Sequence, residues 1–456
     1  MIGKPWFVYT LDLLQTVIGT NAPIQFGSNP APKGTCATIY YGVNPPSGDG
    51  LYVPCCPEIG DAQTKPIHFQ CASSGDVKIP IYESSIDRAS GEVDLFFNFF
   101  AYVSCLEEFE YERRRGPSHS YVRKFQKDKT RFLRPYAHFI GLALRERIAK
   151  EYPYTLRQIG TDAVLYLTHD IDVIRKTMRT RLKEGMFRVY ASLKDRSLKS
   201  KWILRMFFGD ADYFNIATIS DLEDRYGVKS CFNVFVSRPP VDIFTRLKSM
   251  LFDPGYNLQR EPELISVLQN LMNSGNEIGV HFAFDSWCEA DCMRDEQILL
   301  AKMLAQPPRQ SCRQHWLRFS FSKTWSSQWE SGVKVDTSLC FNDLAGFRSG
   351  LAMAYHPFDH IRQRAHDIIV LPTIAMDTHF HYYQTLSEDD RRAAILTLLS
   401  DVKAVGGKAA IVWHTHTFSE DHGWGADYSY VLSLMKELDM RYGLPKDLIV
   451  EKAKDT

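Results

Sequence analysis

The part of the sequence after residue 160 predicts an α/β protein, because strand-like and helix-like stretches alternate there and glycines follow the helices. Short apolar stretches such as AVLYLTHDID, VKSCFNVFVS and NEIGVHF are separated by stretches with helical periodicity. The helical stretch IATISDLEDRYG ends at Gly227 and the stretch ELISVLQNLMNSG ends at Gly275, and glycine commonly follows a helix C-terminus. Repeated β-α units of this kind build a parallel sheet, either open or curled into an α/β barrel.

The first 153 residues differ from the rest in composition and sequence pattern. They are predicted to form a smaller, mixed α+β domain ahead of a domain at 154–456. Up to about residue 90 the chain is rich in Gly, Pro and Ser and contains short strand-like runs such as ATIYYGV and VKIPIY. Two further stretches, which contain FFNFFAYVSCLEEFEY and FLRPYAHFIGLALRERIAKEYP, predict helices. The clustered aromatic residues of this region are predicted to form core, and the region supplies no chemistry that we can identify.

Composition and targeting signals predict a cytoplasmic chain. Lys+Arg and Asp+Glu both number 54, so no net field draws the whole chain toward nucleic acid or an anionic membrane. The N-terminal stretch carries Asp12 among its apolar residues and fits a secretory signal poorly. No apolar run approaches the ~20 residues of a membrane span. The ten cysteines are scattered without recurring CxxC pairs, which predicts a reduced chain.

Three predicted strands end in histidine and aspartate residues, namely 168–172 (THDID), 281–285 (HFAFD) and 413–416 (WHTH). Polar residues at the carboxyl ends of parallel strands form the sites of α/β proteins. A carboxylate, an imidazole and a second carboxylate suit a borderline divalent ion such as Zn²⁺ and leave positions open for water and substrate. A nearby aspartate could deprotonate that water, and a histidine could protonate a leaving amine.

Each of these residues also has a plainer interpretation when it is taken alone. Asp170 and Asp172 could cap a following helix, and His281 could be a buried histidine with hydrogen-bond partners. One of His414 and His416 could have a structural role. The coincidence of three strand ends favours a catalytic site.

The order and the amino-acid sequences of these segments resemble those of the polysaccharide deacetylase family (carbohydrate esterase family 4, the NodB homology domain) over about 160–420. The resemblance implies an irregular (β/α) barrel of seven strands. In LTHDID it implies that Asp170 is the catalytic base and Asp172 a metal ligand. In EIGVHFAFD it implies His281 as the second ligand, and where the family has another histidine four residues on, this chain offers Asp285.

Two later motifs of the family supply an arginine and a histidine. In CRQHWLRFSFSKTW, Arg318 is the first choice for the arginine that orients Asp170, and Arg313 is the second. In the segment Val412-Trp413-His414, the resemblance implies that His414 is the general acid, with His416 as the alternative.

The resemblance also covers residues around these motifs. Asp336 and Arg348 lie where related sequences line the substrate groove, and we predict that both are solvated loop charges. The N-terminal region resembles the poorly characterised domain that often precedes such deacetylases.

Together these features predict a metal-dependent hydrolase, most simply a Zn²⁺ enzyme. It would remove an N-acetyl group from an amino-sugar-containing saccharide. In this reaction a metal-activated water attacks the acetyl carbonyl. No nucleic-acid partner and no membrane span are predicted. Two alternatives stay open. The same site could hydrolyse O-acetyl esters or other amides, and the loss of the second metal histidine would also fit a non-catalytic carbohydrate-binding module. The saccharide and the oligomeric state are not predicted.

Overall fold

The computed structural model describes most of the chain. The described residues are 3–20, 25–26, 38–42, 51–56, 64–71, 75–88, 90–117, 130–152, 156, 162–182, 185–186, 189, 207–236, 243–384 and 386–450. Among them, no helix has both the length and the apolar character needed to cross a membrane.

Helices and short strands both contribute to the N-terminal region. The described helices there are α1 (Pro5–Ile18), α2 (Leu95–Val103), α3 (Leu106–Arg115) and α4 (Tyr136–Glu151). The described strands are β1 (Gln25–Phe26), β2 (Thr38–Gly42), β3 (Leu51–Pro54), β4 (Thr64–Cys71) and β5 (Gly75–Tyr82). Strands β1, β2 and β3 form a small parallel sheet, whereas β4 and β5 form an antiparallel hairpin.

Helix α1 lies in the first 90 residues, where the sequence pattern predicts short strands and no helix. The helix begins with Pro5 in its first turn and ends at Gly19, which adopts a left-handed conformation with φ 67°. Proline is well tolerated at a helix start, and glycine adopts positive φ without strain. The apolar residues Leu14, Val17 and Ile18 are buried. All nine residues of α2 are buried as well, which confirms that the aromatic cluster of this region is core.

The second part of the chain contains the large sheet and its helices. Its strands are β6 (Val164–Ile171), β7 (Cys231–Phe235), β8 (Glu277–Phe282), β9 (Ser311–Gln314), β10 (Val335–Asp336), β11 (Phe358–Asp359), β12 (Arg364–Ala365), β13 (Ile369–Val370), β14 (Thr373–Met376), β15 (Lys408–Val412) and β16 (Arg441–Tyr442). Its α-helices are α5 (Ile216–Arg225), α6 (Ile243–Phe252), α7 (Pro262–Asn273), α8 (Ala290–Leu304), α9 (Thr324–Ser331), α10 (Glu388–Ala404) and α11 (Gly425–Glu437).

The large sheet is parallel and curls on itself. Its strand order is β13-β10-β9-β8-β7-β6-β15-β14, and β16 pairs with the start of β6. Arg313 on β9 reaches Asp170 on β6, three strands away, with an Nη1–Oδ1 distance of 2.8 Å. Only a sheet bent into a barrel brings these two side chains together across its interior. The prediction of a (β/α) barrel preceded by a smaller mixed α+β region is therefore confirmed.

The N-terminal helices pack directly on the barrel. The guanidinium of Arg348 donates to the carboxylate of Glu108 on α3, with an Nη2–Oε2 distance of 2.7 Å, and both side chains are buried. The Tyr355 hydroxyl donates to the backbone oxygen of Val103 at 3.2 Å. The domain boundary at residue 153 stays a prediction. These two contacts link residues that lie before this boundary to residues that lie after it. Arg348 is thus a buried, paired charge, and the prediction that it is solvated is wrong.

Replacing Arg348 by leucine is expected to destabilise the chain by about 3–5 kcal/mol, because the substitution leaves the Glu108 carboxylate buried without its ion-pair partner. Denaturant unfolding measures the loss. Arg113→Leu is the control, since Arg113 pairs with Glu110 at the surface, where such a pair contributes about 0–1 kcal/mol. Equal losses in the two variants would contradict the structural role given to Arg348.

Candidate metal and catalytic site

Polar side chains from five strands meet at one end of the barrel. Asp170 lies near the end of β6, His281 near the end of β8 and Arg313 near the end of β9. Asp377 follows β14 directly, and His414 lies two residues after β15. Because parallel strands end on the same side of a sheet, these groups surround the mouth of the barrel. The convergence that the sequence predicts is therefore present.

Asp172, His281 and His315 form a group that could hold a cation. His281 Nε2 lies 2.8 Å from His315 Nδ1 and 3.2 Å from Asp172 Oδ1. His315 Nδ1 lies 3.7 Å from the same carboxylate oxygen. In a tetrahedral site with ligand bonds of about 2.1 Å, the ligand atoms sit roughly 3.4 Å apart. Among the residues that the structure describes, this is the single group of three or more such side chains close enough to share an ion.

The hydrogen bonds of the two imidazoles favour a cation between them. His281 Nδ1 lies 3.1 Å from the backbone oxygen of Arg313, and His315 Nε2 lies 2.7 Å from the backbone oxygen of Phe252. A carbonyl oxygen only accepts, so each of these ring nitrogens carries the proton. In neutral rings the two facing nitrogens then present lone pairs to each other. A bound cation would relieve that repulsion, and backbone carbonyls commonly orient metal-binding histidines in this way.

The carboxylate of the group points to the same interpretation. Asp172 Oδ1 is buried and accepts no hydrogen bond. Burial raises the pKa of Asp172, but the nearby imidazoles of His315 and His281 outweigh it and hold that pKa well below its usual value. Burial likewise lowers the pKa of His281, while the carboxylates of Asp170 and Asp172 raise it by more. One oxygen and two nitrogen ligands fit a borderline divalent ion such as Zn²⁺.

The structure does not bring Asp285 to this group, which corrects its expected place as a third ligand. Strand β8 ends at Phe282, and the following turn carries Asp285 outward. Its carboxylate pairs with Arg318 at 2.5 Å and with Lys248 at 3.4 Å. His315, immediately after β9, takes the position instead. Its signal in the sequence was a histidine directly after a strand, in the segment CRQHW.

Asp170 is held next to the ligand group by two donors. Arg313 Nη1 and Asn233 Nδ2 each donate to Asp170 Oδ1 at 2.8 Å. Burial raises the pKa of Asp170, but the guanidinium of Arg313 outweighs that effect and the pKa lies below its usual value. The carboxylate is therefore ionised at neutral pH and able to accept a proton.

Arg313, and not Arg318, makes the contact expected of the orienting arginine. Arg313 also donates to Thr168 Oγ1 at 2.9 Å and is fully buried in the barrel. The Arg318 guanidinium instead binds the Asp285 carboxylate and the backbone oxygen of Phe284. Strand β9 ends at Gln314, so a residue four positions later lies outside the barrel interior.

His414 is paired with a buried aspartate that the sequence analysis missed. His414 Nδ1 lies 2.7 Å from Asp377 Oδ1, and the His414 backbone N–H donates to Asp377 Oδ2 at 2.9 Å. The other ring nitrogen, Nε2, lies 3.7 Å from Asp172 Oδ2. Burial lowers the pKa of His414, but the Asp377 carboxylate outweighs it and raises the pKa to about 10. The pKa of Asp377 is lowered to about 2 against the effect of its burial, chiefly by His414.

His416 lines the same cavity as His414, and its ring packs against other side chains. The chain leaves the strand after Val412 and forms a 3₁₀ helix at Thr415–Phe418, so strand alternation does not carry His416 to the same place. The His416 ring packs against Tyr213 and His422, at centroid distances of 6.0 and 5.2 Å.

A cavity of about 160 Å³ opens onto Asp170, Asp172 and His414. Aromatic side chains, among them Trp316 and Tyr382, line its wall. Trp316 and Leu317 both adopt positive φ, 57° and 52°, and strained non-glycine residues of this kind cluster at functional sites. The Asn342 amide donates to the Trp316 backbone oxygen at 2.7 Å and holds this turn.

Asp336 lies outside the cavity and is buried, which corrects the prediction of a solvated loop charge. Its carboxylate accepts hydrogen bonds from the Trp325 indole at 3.1 Å and from the Gln328 amide at 3.0 Å. Arg348, described above, does not line the cavity either.

Comparison with known proteins finds distant similarity in structure only. No protein-family profile and no curated protein matches the chain. A structure described as a polysaccharide deacetylase from Mycobacterium smegmatis matches with a TM-score of 0.39 and 15% identity, over 66% of this chain and 93% of that one. A polysaccharide deacetylase from Bacillus cereus matches with a TM-score of 0.30 and 12% identity, over 62% and 91%.

A branching enzyme of the GH57 type from Pyrococcus horikoshii also matches, with a TM-score of 0.33 and 11% identity, over 63% of this chain and 70% of that one. Proteins with different activities thus match at similar scores. Likeness at this level leaves the activity to be inferred from the site itself.

Proposed function

We propose that the chain is a metal-dependent hydrolase that removes an N-acetyl group from an amino-sugar-containing saccharide. One observation carries the proposal: the carboxylate of Asp170, a set of cation ligands and the imidazole of His414 face one cavity. Hydrolysis of an amide needs a base for the water, stabilisation of charge on the carbonyl oxygen and an acid for the leaving nitrogen. Asp170 supplies the base, a cation held by the ligands would stabilise the charge, and His414 supplies the acid.

Asp172, His281 and His315 are the residues that would hold the ion, most simply Zn²⁺. When bound, a divalent cation supplies Lewis acidity, which polarises a carbonyl and favours negative charge on its oxygen. Asp170 accepts a proton from the attacking water. Arg313 keeps Asp170 ionised and fixes the direction of its carboxylate.

His414 protonates the departing nitrogen. An amide nitrogen leaves poorly unless it is protonated, so a histidine that stays cationic at neutral pH suits an amide better than an ester. Asp377 positions His414, because its carboxylate binds both the ring and the backbone N–H. The aromatic wall formed by Trp316 and Tyr382 supports a sugar, whose apolar ring face packs on such side chains.

Replacing Asp377 by asparagine is expected to move the alkaline limb of the kcat/KM profile to lower pH. His414 acts in its protonated form, and the Asp377 carboxylate contributes most to raising its pKa to about 10. Without that charge His414 loses its proton at a lower pH, and activity falls with it. The pH dependence of deacetylation measures the shift.

Thr417→Val is the matched control for this prediction. The Thr417 hydroxyl also donates to Asp377, at 2.9 Å, but the substitution keeps the aspartate charge. Its alkaline limb should not move to lower pH. An unchanged limb in Asp377→Asn would contradict the role of His414 as the acid.

Acetate release tests the proposed activity. The purified chain is treated with a chelator, reconstituted with Zn²⁺, and incubated with oligosaccharides of N-acetylglucosamine and with O-acetylated sugars. Zinc-dependent release from the N-acetyl substrates is expected. Release from O-acetyl sugars alone would replace the proposal by an esterase, and binding of saccharide with no release from any substrate would indicate a carbohydrate-binding module.

A further inference from the structure

An arginine in the wall of the cavity has no acidic partner among the described residues. Arg179 is also the single lysine or arginine that lines the cavity in that part of the chain. Its neighbours Arg175 and Arg181 each form an ion pair, at 2.6 and 2.7 Å. No described carboxylate pairs with Arg179 in this way, so its positive charge is not neutralised by a direct contact.

Arg179 uses part of its guanidinium to hold the end of helix α6. Its Nη2 donates to the backbone oxygens of Ser249 and Asp253, at 3.1 and 3.0 Å. Basic side chains often bind the last carbonyls of a helix in this way. A guanidinium is a planar fork of five N–H donors, and Nη1 and Nε of Arg179 donate to no residue that the structure describes. The bonds through Nη2 therefore fix the guanidinium and leave donors for a ligand.

Gly255 leaves the space beside Nη1 open. A Cβ atom on Gly255 would lie 3.6 Å from Arg179 Nη1 and would meet no other atom within 4 Å, apart from adjacent residues of the chain. Gly255 also lines the cavity, so a ligand reaches Nη1 from the cavity. Burial lowers the pKa of Arg179, and the charge of Asp253 opposes this effect only in part. A bound anion would compensate the guanidinium for the water that burial removes.

The Asp253 carboxylate, which also lines the cavity, has another partner. Its Oδ1 accepts a hydrogen bond from the Phe284 backbone N–H at 2.8 Å, and burial raises its pKa. The other carboxylates in the wall, those of Asp170 and Asp172, belong to the reaction site described above. None of these three carboxylates forms an ion pair with Arg179.

Arg179 lies next to the ligand group. The backbone oxygen of Phe252 lies 2.7 Å from His315 Nε2, and the backbone oxygen of Asp253 accepts from Arg179. Consecutive residues thus hold a ligand histidine and the arginine, and the Cα atoms of consecutive residues are about 3.8 Å apart. A group bound at Arg179 would therefore belong to the sugar that carries the acetyl group or to a neighbouring sugar.

We propose that Arg179 binds an anionic group of the substrate, so that the saccharide taken into the cavity is acidic. The group is a carboxylate or a phosphate, both of which match the donors of a guanidinium in charge and geometry. Its contact with Nη1 and Nε would orient the sugar with its acetyl group toward the ligand group. The inference rests on the proposed function in taking the ligand to be a saccharide.

Calorimetric titration of the full chain compares saccharides that differ in charge. A hyaluronan oligosaccharide carries carboxylates and is compared with an oligosaccharide of N-acetylglucosamine of the same length. A phosphate ester of N-acetylglucosamine is compared with N-acetylglucosamine itself, which separates the two sources of charge. Phenanthroline, an uncharged chelator, is present so that metal-dependent hydrolysis does not accompany binding. At least one acidic ligand should bind about tenfold or more tightly than its neutral counterpart, the usual effect of a hydrogen bond to a charged group.

Two different variants should abolish this preference. Arg179→Gln removes the charge, whereas Gly255→Val fills the space beside Nη1 and leaves the bonds of Arg179 to helix α6 in place. Arg179→Lys should keep part of the preference, because it keeps the charge but not the fork. Arg181→Gln is the control, since Arg181 also donates to backbone oxygens but does not line the cavity. Thermal unfolding checks the fold of each variant.

Several results would overturn the inference. These are absence of binding of both acidic ligands, equal affinity for the acidic and neutral ligands, a preference that persists in Arg179→Gln, and an equal loss of preference in Arg181→Gln. Acetate release with Zn²⁺ is measured separately. A preference for acidic saccharides with no release from any of them would contradict the proposed function alone. Release without such a preference would contradict this inference alone.

Discussion

Replacing Asp172 by alanine is expected to remove the bound cation and to lower hydrolysis by more than about 10³-fold. The substitution deletes the oxygen ligand and leaves two imidazole nitrogens 2.8 Å apart. It also removes the carboxylate that faces His414 at 3.7 Å. Elemental analysis of the purified variant measures the cation, and acetate release measures hydrolysis.

Asp253→Asn is the matched control, because Asp253 also lines the cavity but lies outside the ligand group. Its cation content is expected to equal that of the wild type. If Asp172→Ala kept a full equivalent of cation, Asp172 would not be a ligand. If both variants lost the cation, the result would not identify Asp172 as a ligand, because a change at another carboxylate of the cavity would also remove the cation.

Replacing Asp170 by asparagine is expected to lower hydrolysis by about 10²–10⁴-fold, the usual contribution of general-base assistance. Asparagine keeps the size of the side chain and can still accept a hydrogen bond from Arg313, but it cannot take the proton of the water. Cation content should stay near that of the wild type, because Asp170 is not one of the three ligands. Acetate release and metal analysis on the same preparation separate the two roles.

Two results would contradict this division of roles. Loss of cation in Asp170→Asn equal to that in Asp172→Ala would mean that both carboxylates are ligands. Full activity in Asp170→Asn would mean that another group accepts the proton. Unfolding measurements accompany both assays, because the substitution also removes the buried charge that faces Arg313.

The sequence predicted the barrel well because its helices and strands follow local rules. Apolar stretches and the helix-ending glycines Gly227 and Gly275 correctly place the strands that follow those glycines, β7 and β8, and both glycines have positive φ. Asp170, Asp172, His281 and His414 were also predicted to lie together, since each follows or ends a strand. Helix α1 is the exception, because its apolar N-terminal stretch also resembles part of a targeting signal and so does not identify a helix.

The remaining site residues depend on geometry that spacing does not give. The family pattern predicts a ligand four residues after His281, but strand β8 ends first and Asp285 turns toward Arg318. His315, which follows the next strand, takes the place of the third ligand. This contact joins residues of different strands, so no local sequence pattern predicts it. The contact of Asp377 with His414 cannot be predicted from local sequence either, because only the pairing of β14 with β15 brings the two residues together. The cytoplasmic location stays a prediction.

Cation binding by two variants tests the identity of the third ligand, on which the account of the site depends. Each metal-free chain is titrated with Zn²⁺ in a calorimeter. We predict that the wild type and Asp285→Ala each bind one equivalent with similar affinity, whereas His315→Ala loses most of its affinity. Loss of binding in Asp285→Ala with normal binding in His315→Ala would contradict the account.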